Sequence, residues 1–238
     1  MRHKAVLFDL DGTLLDTLED LADSMNAALG SMGMPTHDLA DYRIFVGDGV
    51  EQLARRSLPM DRSDERTIRR LSAAMREEYG RRWAGKTRPY EGIPRLLEEL
   101  SERGVAMAVL SNKPDEFVQL LVGRFFPRAP FSAVRGQRPG AAKKPDPAEA
   151  LDLAQIIGAA AAEFVYLGDT NTDMRTAVSA GMHPVGALWG FRSASELQAS
   201  GAKELIARPD ELLRLFQLES EKPEKAIIAR RTSSENRA

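Results

Sequence analysis

The sequence contains no cysteine and only three histidines, which are His3, His37 and His183. The absence of cysteine excludes disulfide bonds, thiolate zinc sites and a cysteine nucleophile, and three scattered histidines argue against a multi-histidine metal site. No apolar run is long enough to cross a bilayer. The apolar run near the N-terminus is too short for the core of a signal peptide and ends at Asp9. The formal net charge of −2 gives no basic footprint for nucleic acid. We therefore expect a cytoplasmic protein without nucleic-acid or membrane partners.

The 238 residues are 43% hydrophobic and 29% charged, which is ordinary for a globular protein with one large domain or a core and an insertion. Short apolar segments alternate with helical patterns from Pro89 onward. The predicted strands are Ala5–Phe8, Val105–Leu110, Phe131–Val134, Phe164–Leu167 and, as the last core strand, Pro184–Leu188. This alternation predicts an α/β fold, a Rossmann-like parallel sheet core with helices on both faces.

The segment between the first strand and Pro89 has a different pattern. Its apolar residues recur at three- and four-residue spacing, and we expect no further strand before Pro89. The predicted helices are about 18–32, Asp38–Phe45, Gly49–Leu58 and Ser63–Trp83. We therefore predict an inserted helical cap domain at residues 16–90, a discontinuous core formed by residues 1–15 and 91–218, and a charged, weakly ordered tail at residues 219–238.

Polar side chains follow the apolar strands. Asp9 and Asp11 follow the first strand, Ser111 follows the second, and the remaining candidates are Lys144, Asp169 and Asp173. The carboxyl ends of neighbouring parallel strands meet at one edge of a sheet, where ligands bind. Carboxylates are suitable ligands for Mg²⁺, and a lysine and a hydroxyl beside a metal suit a phosphate. A carboxylate can also attack phosphorus and form an acyl phosphate.

These motifs resemble the haloacid dehalogenase superfamily of phosphotransferases over most of the chain, to about Leu218. The matching motifs are Asp9-Leu10-Asp11-Gly12-Thr13, Ser111-Asn112, Lys144-Pro145 and Gly168-Asp169-Thr170-Asn171-Thr172-Asp173. Within the superfamily the chain is most similar to phosphoglycolate phosphatases. That likeness depends on Ser111-Asn112-Lys113-Pro114, Val46-Gly47-Asp48-Gly49 and Trp189-Gly190-Phe191-Arg192. A dehalogenase would lack the acid at Asp11, which argues against that activity.

The resemblance implies a role for each site residue. Asp9 would attack the phosphoryl group, and Asp11 would protonate the leaving oxygen and then activate water. Mg²⁺ would be bound by Asp9, the backbone carbonyl of Asp11 and Asp169. Ser111, Asn112 and Lys144 would hold the phosphate, with Lys144 favoured over Lys143 by the Lys-Pro spacing. Thr13 would support the nucleophile loop, and Asp173 would be either a further ligand or a supporting group.

The resemblance therefore implies a Mg²⁺-dependent phosphomonoester hydrolase that acts on a small phosphorylated metabolite, with 2-phosphoglycolate as the expected substrate. A sugar-phosphate phosphatase or a phosphomutase on the same scaffold is the alternative, and a non-catalytic regulator is a third possibility. The intact set of Asp9, Asp11, Lys144 and Asp169 argues against the regulator. We expect a monomer or a homodimer.

Overall fold

The computed structural model describes residues 3–216, and the predicted tail at residues 219–238 lies outside this range. The strands of the described range are β1 (Ala5–Phe8), β2 (Leu15–Asp16), β3 (Arg88–Pro89), β4 (Ala106–Pro114), β5 (Phe131–Gln137), β6 (Phe164–Gly168), β7 (His183–Ala187) and β8 (Glu204–Ile206). Its α-helices are α1 (Leu18–Ser31), α2 (Leu39–Phe45), α3 (Val50–Ser57), α4 (Glu65–Arg82), α5 (Ile93–Glu102), α6 (Asp115–Phe125), α7 (Ala148–Ile157), α8 (Asn171–Ala180) and α9 (Ala194–Ala199). No helix in residues 3–216 combines the length and the apolar character that a membrane span requires.

Six parallel strands form the main sheet, in the order β5-β4-β1-β6-β7-β8. β1 lies between β4 and β6, with Phe8 aligned to Val109 on one side and to Leu167 on the other. Because the three strands run in the same direction, the residues that follow these positions meet at one edge of the sheet.

Alternation along β1 separates the two faces of the sheet. Val6 and Phe8 pack into an apolar cluster with residues of α5 and α6, whereas Ala5 and Leu7 pack with residues of α7 and α8. Both faces are therefore covered, as expected for a parallel sheet whose central strand is apolar at every position. The predicted α/β fold is confirmed.

Helices α1 to α4 form the helical insertion between β2 and β3. They pack around an apolar cluster of their own, which includes Leu29, Tyr42 and Leu71, and Phe117 and Phe191 of the core reach into it. The inserted helical cap is confirmed, whereas its exact limits at residues 16 and 90 stay a prediction.

Two short contacts tie the cap to the core where the chain crosses between them. β2 pairs with β3 in a separate antiparallel sheet, and Arg88 forms an ion pair with Asp16 at 3.0 Å. The buried carboxylate of Asp20 accepts hydrogen bonds from the backbone N–H groups of Lys86 and Thr87, and from the Thr87 hydroxyl at 2.7 Å. The start of α1 is thereby bound to the chain that returns to the core.

Three expectations about the strands are wrong. Leu15–Asp16 is a strand, although no further strand was expected before Pro89. The strand predicted at Pro184–Leu188 is not the last strand of the sheet, because β8 follows it. β2 has two residues and β8 has three, so neither is long enough to show an alternating pattern. β4 and β5 are also longer than expected: β4 runs through the Ser-Asn-Lys-Pro motif and β5 runs on to Gln137.

Candidate active site

The first acidic pair lies at the carboxyl end of β1. The backbone N–H of Asp9 still bonds to the carbonyl of Leu167, so Asp9 is the last residue held by the sheet. The chain then turns at Gly12, where φ is +86° and a Cβ atom would overlap the carboxylate of Asp169. Only glycine satisfies both conditions. The turn therefore brings β1 directly against the residue that follows β6.

A buried cluster of three carboxylates and one lysine forms the floor of the site. One oxygen each of Asp9, Asp169 and Asp173 lies within 4.8 Å of the other two. The Lys144 ammonium lies 2.8 Å from Asp9 Oδ1 and 2.7 Å from Asp173 Oδ1. Three carboxylates facing one ammonium leave two negative charges without a partner. This donor set fits a divalent cation with oxygen ligands.

Asp169 and Asp173 differ in the partners that their oxygens already have. Asp169 accepts hydrogen bonds from the Thr13 hydroxyl at 3.0 Å and from the backbone N–H of Phe191 at 2.8 Å. Asp173 accepts from Lys144 on one oxygen and from the backbone N–H and hydroxyl of Thr170 on the other. Asp173 thus orients Lys144. Of the two roles predicted for Asp173, a further metal ligand or a supporting group, this arrangement agrees with the supporting group.

The pKa values of the cluster reflect this excess of buried negative charge. Burial, followed by the charge of Asp173, raises the pKa of Asp9 from 3.8 to about 7, although Lys144 acts in the opposite direction. Burial and the charge of Asp9 raise the pKa of Asp169 well above its ordinary range. Burial lowers the pKa of Lys144, but Asp173 and Asp9 outweigh that effect, so this lysine stays charged. A bound divalent cation would favour the ionised carboxylates.

The two residues that follow the apolar part of β4 lie beside this cluster. Ser111 and Asn112 are both buried. The Asn112 amide accepts a hydrogen bond from the backbone N–H of Lys144 at 3.0 Å and donates to its carbonyl at 3.2 Å and to that of Gly47 at 3.3 Å. Asn112 therefore fixes the backbone that carries Lys144, and its direct contact with phosphate stays a prediction.

Sequence reasoning assigned no role to Lys113, yet its side chain lies beside the predicted acid–base residue. Its ammonium is 3.1 and 3.0 Å from the two carboxylate oxygens of Asp11 and 4.4 Å from the ring centre of Tyr79. Burial lowers the pKa of Lys113, but Asp11 and Tyr79 outweigh it, so the pKa lies above its ordinary value. Lys113 lies in the part of β4 beyond Leu110, where the pairing with β5 shifts register, so strand periodicity gave no signal for it.

The turn Val46-Gly47-Asp48-Gly49 of the cap lies against the core next to the cluster. Asp48 accepts a hydrogen bond from the Thr172 hydroxyl at 2.5 Å. Arg192 donates to the carbonyl of Val46 at 2.7 Å and also bonds the carbonyl of Arg43. These contacts hold the cap over the site.

A cavity of about 60 Å³ lies between the cap and the floor of the site. Asp9, Asp11 and Ser111 line one end, and residues of α1, α3 and α4 line the other. This volume exceeds the roughly 10–15 Å³ that one water molecule needs. It suits a small ligand bound directly over the carboxylates.

Comparison with known proteins gives the family. The model of the haloacid dehalogenase-like hydrolase family matches residues 6–187. The chain belongs to the haloacid dehalogenase-like hydrolase family. A phosphoglycolate phosphatase from Pseudomonas syringae pv. tomato is 31% identical over 221 residues, which are 90% of this chain and 78% of that protein. One from Xanthomonas campestris pv. campestris is 32% identical over 210 residues, 88% of this chain and 94% of that protein. The crystal structure of a protein from Lactobacillus delbrueckii subsp. bulgaricus superposes on this structure with a TM-score of 0.86 and 30% sequence identity. The match covers 92% of this chain and all of that chain.

The family assignment confirms the resemblance drawn from the motifs and the prediction of a hydrolase. In this haloacid dehalogenase-like hydrolase, the geometry brings all eight predicted site residues to one edge of the sheet: Asp9, Asp11, Thr13, Ser111, Asn112, Lys144, Asp169 and Asp173. The Asp11 carboxylate lies outside the metal-type cluster and pairs with Lys113 instead. Its backbone carbonyl remains the predicted ligand, and the roles of all eight residues stay predictions.

Replacement of Lys144 by methionine is expected to lower the kcat/KM of this hydrolase by about 10²–10³-fold, because the buried cation beside Asp9 is lost. Its neighbour Lys143 is the matched control. Lys143 is half-exposed and lies 3.7 Å from Glu51 of the cap, so Lys143→Met should change kcat/KM by less than about twofold. Steady-state phosphate release and thermal unfolding of both variants measure this. A larger loss in Lys143→Met than in Lys144→Met would show that Lys143 is the functional lysine.

Proposed function

We propose that this protein is a Mg²⁺-dependent phosphomonoester hydrolase that acts on 2-phosphoglycolate through an aspartyl-phosphate on Asp9. The observation that carries the proposal is the Lys144 ammonium, 2.8 Å from Asp9 and embedded in the carboxylate cluster under the cavity. A phosphoryl group placed over Asp9 would contact this cation. The same carboxylate would lie in line to attack phosphorus.

The donor set supports Mg²⁺ as the metal. Asp9, the Asp11 carbonyl and Asp169 would hold it, since magnesium prefers a few carboxylate oxygens completed by water. When bound, Mg²⁺ would offset the charge of the carboxylates and of the phosphoryl oxygens. Asp173 would remain with Lys144 and Thr170, where both of its oxygens already have donors.

Each side chain then has a defined task. A carboxylate oxygen of Asp9 forms a bond to phosphorus while the ester oxygen leaves, and Asp11 gives that oxygen its proton. In the second step Asp11 takes a proton from water, and the water oxygen attacks the phosphorus of the acyl phosphate. Lys144 and the Ser111 hydroxyl hold the non-bridging oxygens throughout. Asp9 returns to its starting state when phosphate leaves.

Two observations support 2-phosphoglycolate as the substrate. The relatives from Pseudomonas syringae and Xanthomonas campestris carry the name phosphoglycolate phosphatase and match most of this chain. The cavity of about 60 Å³ is small and mostly apolar on the cap side. A two-carbon leaving group is compatible with it, whereas a sugar would need more hydrogen-bonding partners than this wall offers.

A metabolite screen tests the substrate and the metal together. With Mg²⁺ present, we expect 2-phosphoglycolate to have the highest kcat/KM in a panel of phosphomonoesters that includes hexose phosphates. Chelation after removal of bound metal should abolish phosphate release, and added Mg²⁺ should restore it, because the buried carboxylates otherwise lack counter-charge. Phosphate release is measured with isotopically labelled water to verify hydrolysis.

Each contrary outcome has a separate meaning. Sugar-phosphate isomerisation without net phosphate release would identify a phosphomutase. Preference for a hexose phosphate would overturn the substrate, and full activity in chelator would overturn the metal. Absence of turnover across the panel would support a regulator instead of an enzyme.

A further inference from the structure

The cap side of the active-site cavity has one polar corner in an otherwise apolar wall. The wall is formed by Leu21, Val46, Leu53, Met75 and Phe117. The corner is formed by Lys113 of β4 together with Arg76 and Tyr79 of α4, which are three positions apart and therefore on the same side of the helix. None of these three residues belongs to the machinery described above for the phosphoryl group.

Tyr79 carries a buried hydroxyl that interacts with the Lys113 ammonium but lacks a well-formed hydrogen bond within residues 3–216. The residue is 2% exposed. Its ring lies under the Lys113 ammonium at 4.4 Å. A buried hydroxyl without a well-formed hydrogen bond is costly and needs an explanation. A ligand in the adjoining cavity supplies one.

Arg76 is a cation without an acidic partner. It lines the cavity from the cap side, and within the described part of the chain its guanidinium forms no ion pair and no hydrogen bond. Arg76 is exposed, as are Arg66, Arg69 and Arg70 of the same helix, and of these four it is Arg76 that lines the cavity. Lys113 lies 3.0 Å from Asp11, so Arg76 is the cation at this corner that has no side-chain partner among residues 3–216.

We propose that Lys113, Arg76 and the Tyr79 hydroxyl form a subsite for a carboxylate on the leaving group of the substrate. The geometry fits a carboxylate that is joined to the ester oxygen through a single methylene carbon. Asp11 must reach the ester oxygen to protonate it, and Lys113 lies 3.0 Å from Asp11. A carboxylate separated from that oxygen by one methylene group therefore falls within reach of the same ammonium.

This subsite rests on the proposed function and explains its selectivity. A planar guanidinium can bind a carboxylate through two parallel hydrogen bonds, and a hydroxyl and an ammonium complete its shell. A substrate without the carboxylate would leave Arg76 unpaired and the Tyr79 hydroxyl without a well-formed hydrogen bond. Arg76 and Tyr79 act on the carboxylate only, whereas Lys113 also positions Asp11, so variants of the two cap residues give the cleaner test.

Two stable phosphonates isolate the carboxylate in a binding experiment. In 3-phosphonopropionate a carboxylate lies at the distance found in 2-phosphoglycolate, and propylphosphonate has a methyl group there. We expect the Mg²⁺-loaded wild type to bind 3-phosphonopropionate about 10- to 100-fold more tightly by calorimetry. Arg76→Gln should reduce this preference by about tenfold, and its affinity for propylphosphonate should change by less than about twofold.

Two further variants separate recognition from a general effect on the cap. Arg69→Gln is the matched control, since Arg69 is an exposed arginine of α4 two turns away that does not line this cavity. It should keep the wild-type preference. Tyr79→Phe should lower the preference about three- to tenfold without loss of thermal stability, because the deleted hydroxyl has no well-formed hydrogen bond in the free protein.

The outcomes distinguish this proposal from the proposed function. Equal affinity of the wild type for the two phosphonates, or an unchanged preference in both Arg76→Gln and Tyr79→Phe, overturns the carboxylate subsite. If 2-phosphoglycolate is still the best substrate in that case, the proposed function survives. If the preference falls as expected while another carboxylate-bearing phosphomonoester is hydrolysed best, the subsite stands and 2-phosphoglycolate is the wrong substrate.

Discussion

Replacement of Asp11 by asparagine is expected to lower kcat for 2-phosphoglycolate by about 10²–10⁴-fold, the usual contribution of general acid–base catalysis. The leaving group is an alkoxide, which needs a proton as the bond to phosphorus breaks. Asparagine preserves the shape of the side chain and the backbone carbonyl but can no longer transfer a proton. The Lys113 ammonium, which lies 3.0 Å from Asp11, still finds an oxygen acceptor in the variant.

The same variant should behave differently with a phosphate ester of an acidic phenol. A phenolate leaves without a proton, so the first step should remain fast, but the second step still needs the base. Rapid mixing should therefore show a burst of phenolate followed by a slow phase. The wild type is the control and should show a weaker burst or none. Wild-type turnover of both substrates by Asp11→Asn would remove Asp11 from the mechanism.

Replacement of Asp9 by asparagine is expected to lower turnover by at least about 10⁴-fold, because the covalent route is lost. The same change should stabilise the metal-free protein at high pH. Asp9 shares a buried cluster with Asp169 and Asp173, and the ionised form of Asp9 is unfavourable there. Asparagine removes that charge and retains the size of the side chain.

The pH dependence of this stabilisation follows from the pKa of Asp9. Its folded value of about 7 lies above the ordinary value of 3.8. The metal-free folded protein therefore keeps a proton that the unfolded chain releases, and its stability falls as pH rises from about 4 to about 7. Relative to wild type, the free energy of unfolding of metal-free Asp9→Asn should rise little at pH 4. At pH 8 it should rise by up to about 4 kcal/mol.

Urea unfolding of both proteins at pH 5 and pH 8, in chelator and in Mg²⁺, measures the effect. The gain should shrink or reverse with Mg²⁺, which stabilises the folded wild type through its carboxylates. Asp61→Asn on the exposed cap surface is the control for the removal of one carboxylate. An equal effect of Asp9→Asn at both pH values in chelator would contradict the charge assigned to the cluster.

The residues at the floor of the site could be predicted from the sequence because a small number of general rules determine their positions. An apolar strand followed by acids places Asp9 and Asp11 at the carboxyl edge of a parallel sheet, and the same rule places Ser111 and Asp169 beside them. The choice between Lys143 and Lys144 depended on the spacing to a proline. In the structure, the buried side chain that pairs with Asp9 is that of Lys144.

The cap side of the site could not be predicted in the same way. Arg76 and Tyr79 reach the cavity because α4 packs beside Phe117 of the core, a tertiary contact that joins distant parts of the chain. Helical periodicity assigns such residues to a face and does not say what that face meets. Lys113 lies in the part of β4 that was not predicted as strand, and its ion pair with Asp11 required the tertiary fold.

The most direct test of the mechanism is to locate the phosphoryl group. Asp11→Asn is mixed with the phosphate ester of an acidic phenol and Mg²⁺, quenched in acid, and analysed by intact mass and peptide mapping. We predict one added phosphoryl group per chain, carried by the peptide that contains Asp9 and absent in the Asp9→Asn, Asp11→Asn double variant. An enzyme that releases phosphate with no trapped phosphoryl group, or that carries it on a different peptide, would contradict the assignment of Asp9 as nucleophile.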